Sequence, residues 1–132
     1  MKIIFIGDIV GKSGREAISL SLGILKEKFN PDIIIANAEN AASGYGLTKK
    51  IAQELFKQGI HVLTLGNHAW DQREMLSYIE ECPKIIRPIN YPMGVPGKGD
   101  YKIELEDPCH FQKALLSKHR PRVDTIFLVY FH

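Results

Sequence analysis

The sequence predicts an α/β fold in which helices flank a parallel β-sheet. Three short runs rich in β-branched residues, at 2–6, 33–36 and 61–65, have the length and composition of buried strands. Amphipathic segments of helical period separate these runs, and this alternation is typical of parallel strands joined by crossover helices. The length of 132 residues suits one domain, at about 100–200 residues per domain. We therefore expect a single α/β domain over residues 1–132.

The first two helices carry recognisable start and stop signals. Ser13 is the expected N-cap of the first helix, which should stop at Asn30 because Pro31 disfavours helical geometry in the residue before it. Thr48 is the expected N-cap of the second helix. Gly59 follows its last turn and is able to adopt the left-handed conformation that often ends a helix.

The third helix is expected to begin near Asp71 and to end before Pro83. Asp71 and Glu74 have the spacing of a capping pair. Residues 90–100 hold two prolines and three glycines, which predicts an ordered loop. Beyond that loop we expect a short strand at 101–105, a helix at 110–118 and a final strand at 125–131.

Composition argues against several classes of function. Seventeen basic and fifteen acidic side chains leave a net charge of +2. This charge indicates neither a protein that coats nucleic acid nor a polybasic membrane anchor. The longest apolar runs, at 33–36 and 126–131, are far shorter than the roughly 20 residues that cross a bilayer. The N-terminus lacks the pattern of a secretory signal. We therefore expect a cytoplasmic protein with no membrane partner.

Polar side chains follow each of the three predicted strands. Asp8 follows the first strand, Glu39 and Asn40 follow the second, and Asn67 and His68 follow the third. In a parallel sheet these strand ends meet at one edge, where function collects. Carboxylates suit manganese or magnesium, and imidazole suits zinc, iron or manganese. The set favours a site for two metal ions, which together clamp a phosphate and activate water for phosphoester hydrolysis.

Each of these signals has a simpler interpretation when it is taken alone. An Asp, Glu or Asn after a strand often accepts hydrogen bonds in a turn, and a histidine beside a turn is often a surface residue. The three strand ends together favour the metal site. A nucleotide-binding P-loop at Gly11, Lys12 and Ser13 is disfavoured, because the motif requires a glycine at position 6 and the sequence has Ile6.

Three strings of the sequence, GDIVG, NAENAASGYGLT and LGNHAWD, resemble the opening blocks of calcineurin-like metallophosphoesterases, in particular the bacterial YmdB-like phosphodiesterase family. The resemblance runs from residue 1 to about residue 102 and includes RPINYP and PGKG. It implies that the chain forms the first part of an αββα sandwich. It also implies two divalent metal ions (manganese, iron, magnesium or zinc) and a phosphodiester substrate, with cyclic nucleotides among those that the family hydrolyses.

The same resemblance implies a role for individual residues. Asp8, Glu39 and Asn67 would bind metal, and Asn40 would be a ligand or a contact on the substrate side. His68 would face the scissile phosphate without binding metal, where it would protonate the leaving oxygen or stabilise transition-state charge. Tyr45 flanks these positions and is a candidate for stacking on a base of the substrate.

The resemblance is weak over residues 103–132. Members of the family are about twice as long and supply a histidine from a Phe-His pair and two more from a Gly-x-His-x-His segment. Residues 126–132 resemble the strand before the first of these, so His132 is a candidate metal ligand, whereas the sequence lacks the later pair. We therefore expect an incomplete domain that associates with a second copy to cover apolar surface. The alternative to a phosphodiesterase is a catalytically incomplete fragment that serves as a binding or regulatory module.

Overall fold

The computed structural model describes residues 1–103 in full and residues 125–129 by their backbone. It confirms the α/β class, with helices that alternate with strands along the chain. The elements are β1 (Lys2–Ile6), α1 (Gly11–Phe29), β2 (Ile33–Asn37), α2 (Lys49–Lys57), β3 (Val62–Thr64), α3 (Met75–Glu81), β4 (Ile85–Ile86) and β5 (Thr125–Val129).

The described strands form one sheet in the order β4-β3-β2-β1-β5, and every neighbouring pair is parallel. Ile6 at the end of β1 pairs with Ala36 of β2, and Ala36 pairs with Leu63 of β3. The carboxyl ends of these strands therefore lie side by side. The predicted polar segments leave the sheet at this shared edge.

A single apolar core holds the helices against the sheet. It joins β1, β2, β3 and β4 to all three described helices, and each fully buried aliphatic side chain contributes about 1.5–3 kcal/mol through removal from water. This core supports the edge of the sheet that carries the polar residues. Its largest fully buried side chains are Ile4, Ile6, Ile9, Ile18, Ile34, Leu47, Leu55, Leu63, Met75 and Ile85.

Helix α2 begins and ends as the sequence predicts. The Thr48 hydroxyl accepts a hydrogen bond from the Ile51 amide at 3.2 Å, which satisfies one of the amides left unpaired at the helix start. Gly59 follows the helix with φ +97°, a left-handed conformation that favours glycine.

The predicted N-cap of α1 at Ser13 is wrong, because the helix is capped three residues earlier. Val10 is the N-cap and no side chain caps the helix. The amide of Gly11 instead donates to the carbonyl of Asn40 at 2.9 Å, so the loop after β2 satisfies a helix-start amide. Ser13 lies inside the helix. The helix ends as predicted, with Asn30 left-handed at its C-cap.

The predicted start of α3 at Asp71 is also wrong. The helix begins at Met75, and Glu74 at its N-cap makes no side-chain capping bond. Both carboxylates of the expected capping pair are used elsewhere. An oxygen of Asp71 lies 2.6 Å from Nδ1 of His68, and an oxygen of Glu74 accepts from the Lys49 amide at 2.9 Å.

The chain after α3 departs furthest from expectation. The two-residue strand β4 was not predicted, since two residues carry too little pattern. The expected loop at 90–100 is confirmed, and the Arg87 amide closes it by donating to the Lys98 carbonyl at 2.9 Å. Of the strand predicted at 101–105, residues 101–103 are not in a strand; residues 104 and 105 and the helix predicted at 110–118 lie outside the described residues. β5 falls within the predicted 125–131.

Within the described part of the chain, no helix is long and apolar enough to span a lipid bilayer.

Candidate active site

Backbone hydrogen bonds hold the polar segments together at the carboxyl edge of the sheet. The Ile9 amide donates to the carbonyl of Asn37 at 3.0 Å and so ties the segment after β1 to the end of β2. The Ala38 amide donates to the carbonyl of Thr64 at 3.0 Å and ties the segment after β2 to the end of β3. Because these bonds continue the ladder of the sheet, the positions of Asp8 and Glu39 follow from the fold.

Asp8 and Asn40 are in direct contact across two strand ends. The side-chain amide of Asn40 donates to both carboxylate oxygens of Asp8, at 2.9 and 3.0 Å. Asp8 is exposed, so its oxygens also remain accessible from solvent. With its nitrogen turned toward the carboxylate, Asn40 keeps an amide oxygen as a further acceptor. The pair therefore offers several hard oxygen ligands at one place.

Glu39 is oriented by Asn37, the last residue of β2. The Asn37 side chain donates to Oε1 of Glu39 at 3.3 Å, and the Glu39 amide donates back to the Asn37 side-chain oxygen at 3.2 Å. The other carboxylate oxygen of Glu39, Oε2, is buried and has no hydrogen-bond partner among the described residues. A buried carboxylate oxygen without a partner is costly. It marks a place where a cation would be stabilising.

The carboxylate of Glu39 lies directly against Gly66. A Cβ atom at position 66 would overlap with both carboxylate oxygens of Glu39. This close approach brings the end of β2 to the residue that precedes Asn67. The exposed side chain of Asn67 has no hydrogen-bond partner in the part of the chain that the structure describes. The Asn67 side chain is therefore available as an oxygen donor, one residue after the glycine that Glu39 approaches.

His68 is held by two neighbours. Its Nδ1 lies 2.6 Å from Oδ2 of Asp71, and the Tyr45 ring meets the His68 ring edge-on, with centroids 5.9 Å apart. The Gln72 side chain donates to the Tyr45 carbonyl at 2.6 Å and so anchors the loop that carries Tyr45. Tyr45 itself is 64% exposed. An exposed aromatic ring therefore stands next to the histidine.

The predicted ligands fit a divalent cation in their chemistry. Residues 1–103 contain no cluster of three His, Cys, Asp or Glu side chains of the kind that holds a metal ion, so the two carboxylates need other donors. Asn40 and Asn67 supply amide oxygens, which hard cations accept. The structural evidence that these residues suit a cation is the buried Oε2 of Glu39, which has no hydrogen-bond partner among the described residues. His132 lies outside the described residues, and its role stays a prediction.

Three residues of the site were missed by the sequence analysis. Asn37 and Gly66 orient Glu39, and Asp71 contacts His68. A polar residue at the end of the otherwise apolar run of β2 was an available signal for Asn37. The spacing of three residues between His68 and Asp71 was a signal for their contact, but the same residue also fitted a capping pattern.

The chain is similar to known proteins over most of its length. The model of the family described as "YmdB-like protein" matches residues 4–118. A curated relative from Bacillus subtilis (strain 168), named 2′,3′-cyclic-nucleotide 2′-phosphodiesterase, is 46% identical over 99 residues. That match covers 75% of this chain and 38% of the relative.

Two solved structures share the fold. A protein from Thermus thermophilus, described as hypothetical, superposes with a TM-score of 0.70 at 32% identity and covers 96% of this chain. A structure described as a novel phosphatase from Mycoplasma pneumoniae superposes with a TM-score of 0.68 at 28% identity and covers 97%. This chain spans 56% and 54% of those two chains. It is thus similar to about half of each of these longer proteins of the metallophosphoesterase fold.

Proposed function

The chain belongs to the YmdB-like family, and on that basis we propose that the carboxyl edge of its sheet is the site of a metal-dependent phosphodiesterase. The observation that carries the proposal is the Glu39 carboxylate, which has one buried oxygen without a partner among the described residues and lies against Gly66, the residue before the exposed Asn67. The contact between Asp8 and Asn40 supplies further oxygen donors at the neighbouring strand ends. These features support a cation site more readily than an apolar pocket.

Asp8, Glu39, Asn40 and Asn67 would hold two divalent ions, with His132 as a further candidate ligand. Manganese, iron, magnesium and zinc all accept mixed oxygen and nitrogen ligands. Bound there, such ions would neutralise charge on a phosphodiester and lower the pKa of water. Asn37 and Gly66 would keep the Glu39 carboxylate in position for this role.

His68 would act on the substrate and not on the metal. Its Nδ1 is engaged by Asp71, which leaves Nε2 for the substrate. As water adds to phosphorus and the bond to the leaving oxygen breaks, protonated His68 would give its Nε2 proton to that oxygen, and the proton lost by the water would restore the ring. General acid catalysis of this kind contributes about 10²–10⁴-fold to rate.

We further propose a cyclic nucleotide as substrate. The Bacillus subtilis relative is named for hydrolysis of 2′,3′-cyclic nucleotides, which supports this choice. The exposed ring of Tyr45 stands beside His68 and offers a surface on which a base would stack. Removal of this ring by Tyr45→Ala should raise KM more than it lowers kcat, since stacking binds the substrate in the ground state.

The test is hydrolysis of an aryl phosphodiester and of a 2′,3′-cyclic nucleotide in the presence of manganese. We expect turnover by the wild-type chain, a fall of about 10²-fold or more in kcat for His68→Ala, and unchanged metal content in that variant. His61→Gln, which changes a histidine outside the site, should keep wild-type turnover. Equal activity in His68→Ala and wild type would overturn the role of His68. A folded chain that binds metal without turnover would indicate a binding or regulatory module instead.

A further inference from the structure

We infer that Asp71 is a positioning residue that holds His68 in one tautomer and directs Nε2 of its ring toward the substrate. This inference deepens the proposed function and rests on it for its catalytic meaning. The orientation of the His68 ring by Asp71 does not depend on that function, because it concerns a contact between two side chains. The carrying observation is the distance of 2.6 Å between Nδ1 of His68 and Oδ2 of Asp71.

The direction of this hydrogen bond follows from the chemistry of its partners. An ionised carboxylate only accepts hydrogen bonds, so Nδ1 of His68 must carry the proton. In the neutral ring the other nitrogen, Nε2, is then unprotonated, and in the charged ring it carries the second proton. In either state Nε2 is the nitrogen left for a substrate. Without Asp71 the neutral ring would exchange between its two tautomers.

The backbone keeps Asp71 beside His68 without help from the side-chain contact. The Asp71 amide donates to the His68 carbonyl at 3.5 Å, which closes a turn between them. Gly46, with φ +77°, packs on the outside of this turn, where an added Cβ would stand 3.0 Å from the His68 carbonyl oxygen and 3.3 Å from Cβ of Asp71. Gln72 anchors the same loop through the Tyr45 carbonyl. Loss of the Asp71 carboxylate should therefore free the ring and leave the turn in place.

The Asp71 side chain makes no capping bond to α3, which starts at Met75. A helix-capping role would otherwise explain an aspartate at this position. The side chains of His68 and Asp71 are 30% and 37% exposed, so the pair is partly shielded from water and remains reachable from solvent. This combination suits a histidine that must meet a ligand in a defined orientation.

The decisive experiment is nitrogen NMR of the histidine rings in the full chain, at a pH where the rings are neutral. The variants are Asp71→Ala, which removes the acceptor, and Asp71→Asn, which replaces an acceptor-only carboxylate with an amide that can accept or donate. Glu81→Ala is the matched control, since Glu81 is an exposed carboxylate that pairs with Lys49. The resonances of His68 are identified by their loss in His68→Ala.

We expect a single Nδ1–H tautomer for His68 in wild type and in Glu81→Ala, whereas Asp71→Asn, whose amide can donate to Nδ1, should admit the Nε2–H tautomer. Asp71→Ala should show averaging between tautomers, with an otherwise unchanged amide spectrum. A wild-type ring protonated at Nε2, or an Asp71→Ala ring identical to wild type, would overturn the inference. Because this NMR measurement requires no turnover, its result tests the inference independently of the proposed hydrolysis.

Kinetics then test the catalytic meaning of the contact. Asp71→Ala should lower kcat by about tenfold to a hundredfold with little change in KM, as expected for residues that orient a catalytic group. The loss should be larger for an alkyl or phenyl leaving group than for nitrophenolate, since poor leaving groups depend most on a directed proton. A uniform loss across leaving groups would contradict orientation for proton delivery.

Discussion

At the scale of single residues, the site depends on close approaches that only particular side chains allow. Glu39 packs its carboxylate on the Cα of Gly66, and Asn37 holds Glu39 from the side. Any side chain at position 66 would displace the carboxylate. Glycine at this position is thus explained by the space that Glu39 occupies, whereas Gly23 in α1 is exposed and has open space around it.

Gly66→Ala should displace the Glu39 carboxylate and so weaken metal binding. The free energy of unfolding should change little, because the overlapping atoms are the end of a flexible side chain that can swing away. Gly23→Ala is the matched control and should bind manganese as wild type does, because an added Cβ there meets open space. A manganese titration of both variants measures the difference. Equal affinity in Gly66→Ala and wild type would contradict the close approach of Glu39 to Gly66.

At the scale of elements, the two longer helices start by different means. A side chain caps α2, whereas the loop after β2 satisfies the start of α1 through the carbonyl of Asn40. The start of α1 is thereby tied to the segment that carries the site. The start of α2 depends on the Thr48 hydroxyl.

This difference predicts unequal effects of two similar substitutions. Thr48→Ala removes the cap of α2 and should lower the free energy of unfolding by about 0.5–2 kcal/mol. Ser13→Ala removes a hydroxyl from inside α1, where it caps nothing, and should change stability by less than about 0.5 kcal/mol. Thermal or urea unfolding of both variants checks the prediction. A larger loss for Ser13→Ala would show that the sequence-based cap was right.

The sequence was sufficient to place the main elements but not all of their ends. The central strands are predicted because their β-branched runs are long enough to show a pattern, and the Thr48 cap is local. The start of α1 is missed because the Gly11 amide bonds to the carbonyl of Asn40, which is distant in sequence. The start of α3 is missed because the Asp71 carboxylate contacts His68 in the preceding turn. The candidate ligands are predictable because they follow strands. The role of Gly66 is not predictable, since it depends on a packed carboxylate, and the sequence signals only the position of Asn37 at the end of β2 and not its contact with Glu39.

At the scale of the whole molecule, His61 couples adjacent strands. Its Nδ1 accepts a hydrogen bond from the Ile34 amide of β2 at 2.9 Å, just before β3 begins. Only an unprotonated ring nitrogen can accept this bond. Partial burial of the ring lowers the pKa of His61 below its ordinary value of 6.5, and the charges of Lys26 and Lys84 act in the same direction. The folded state therefore favours the neutral ring.

Stability should consequently fall in mildly acidic solution. Between the lowered pKa of folded His61 and the unfolded value near 6.5, the unfolded chain binds more protons, so the free energy of unfolding decreases as pH falls through that window. His61→Gln lacks this contribution. Urea unfolding at several pH values should show the stability advantage of wild type over His61→Gln shrinking as pH falls below about 6.5. A difference that is independent of pH would contradict the linkage.

The arrangement of the sheet brings the proposed ligands together from separate parts of the sequence. Asp8 and Asn40 are 32 positions apart in sequence, yet they meet because β1 and β2 are parallel neighbours. β5 pairs with β1 in the same direction, so the carboxyl end of β5 lies at the same edge of the sheet. Metal binding at this edge of the sheet is testable independently of turnover.

The most direct measurement is a calorimetric titration of the chain with manganese. We predict saturable binding by wild type and at least about tenfold weaker binding by Glu39→Gln and Asp8→Asn, since each variant replaces a charged oxygen ligand with a neutral amide. Glu81→Gln, which changes an exposed carboxylate on α3, should bind as wild type does. Equal binding by wild type, Glu39→Gln and Asp8→Asn, or no binding by any of them, would contradict a metal site at the carboxyl edge of the sheet.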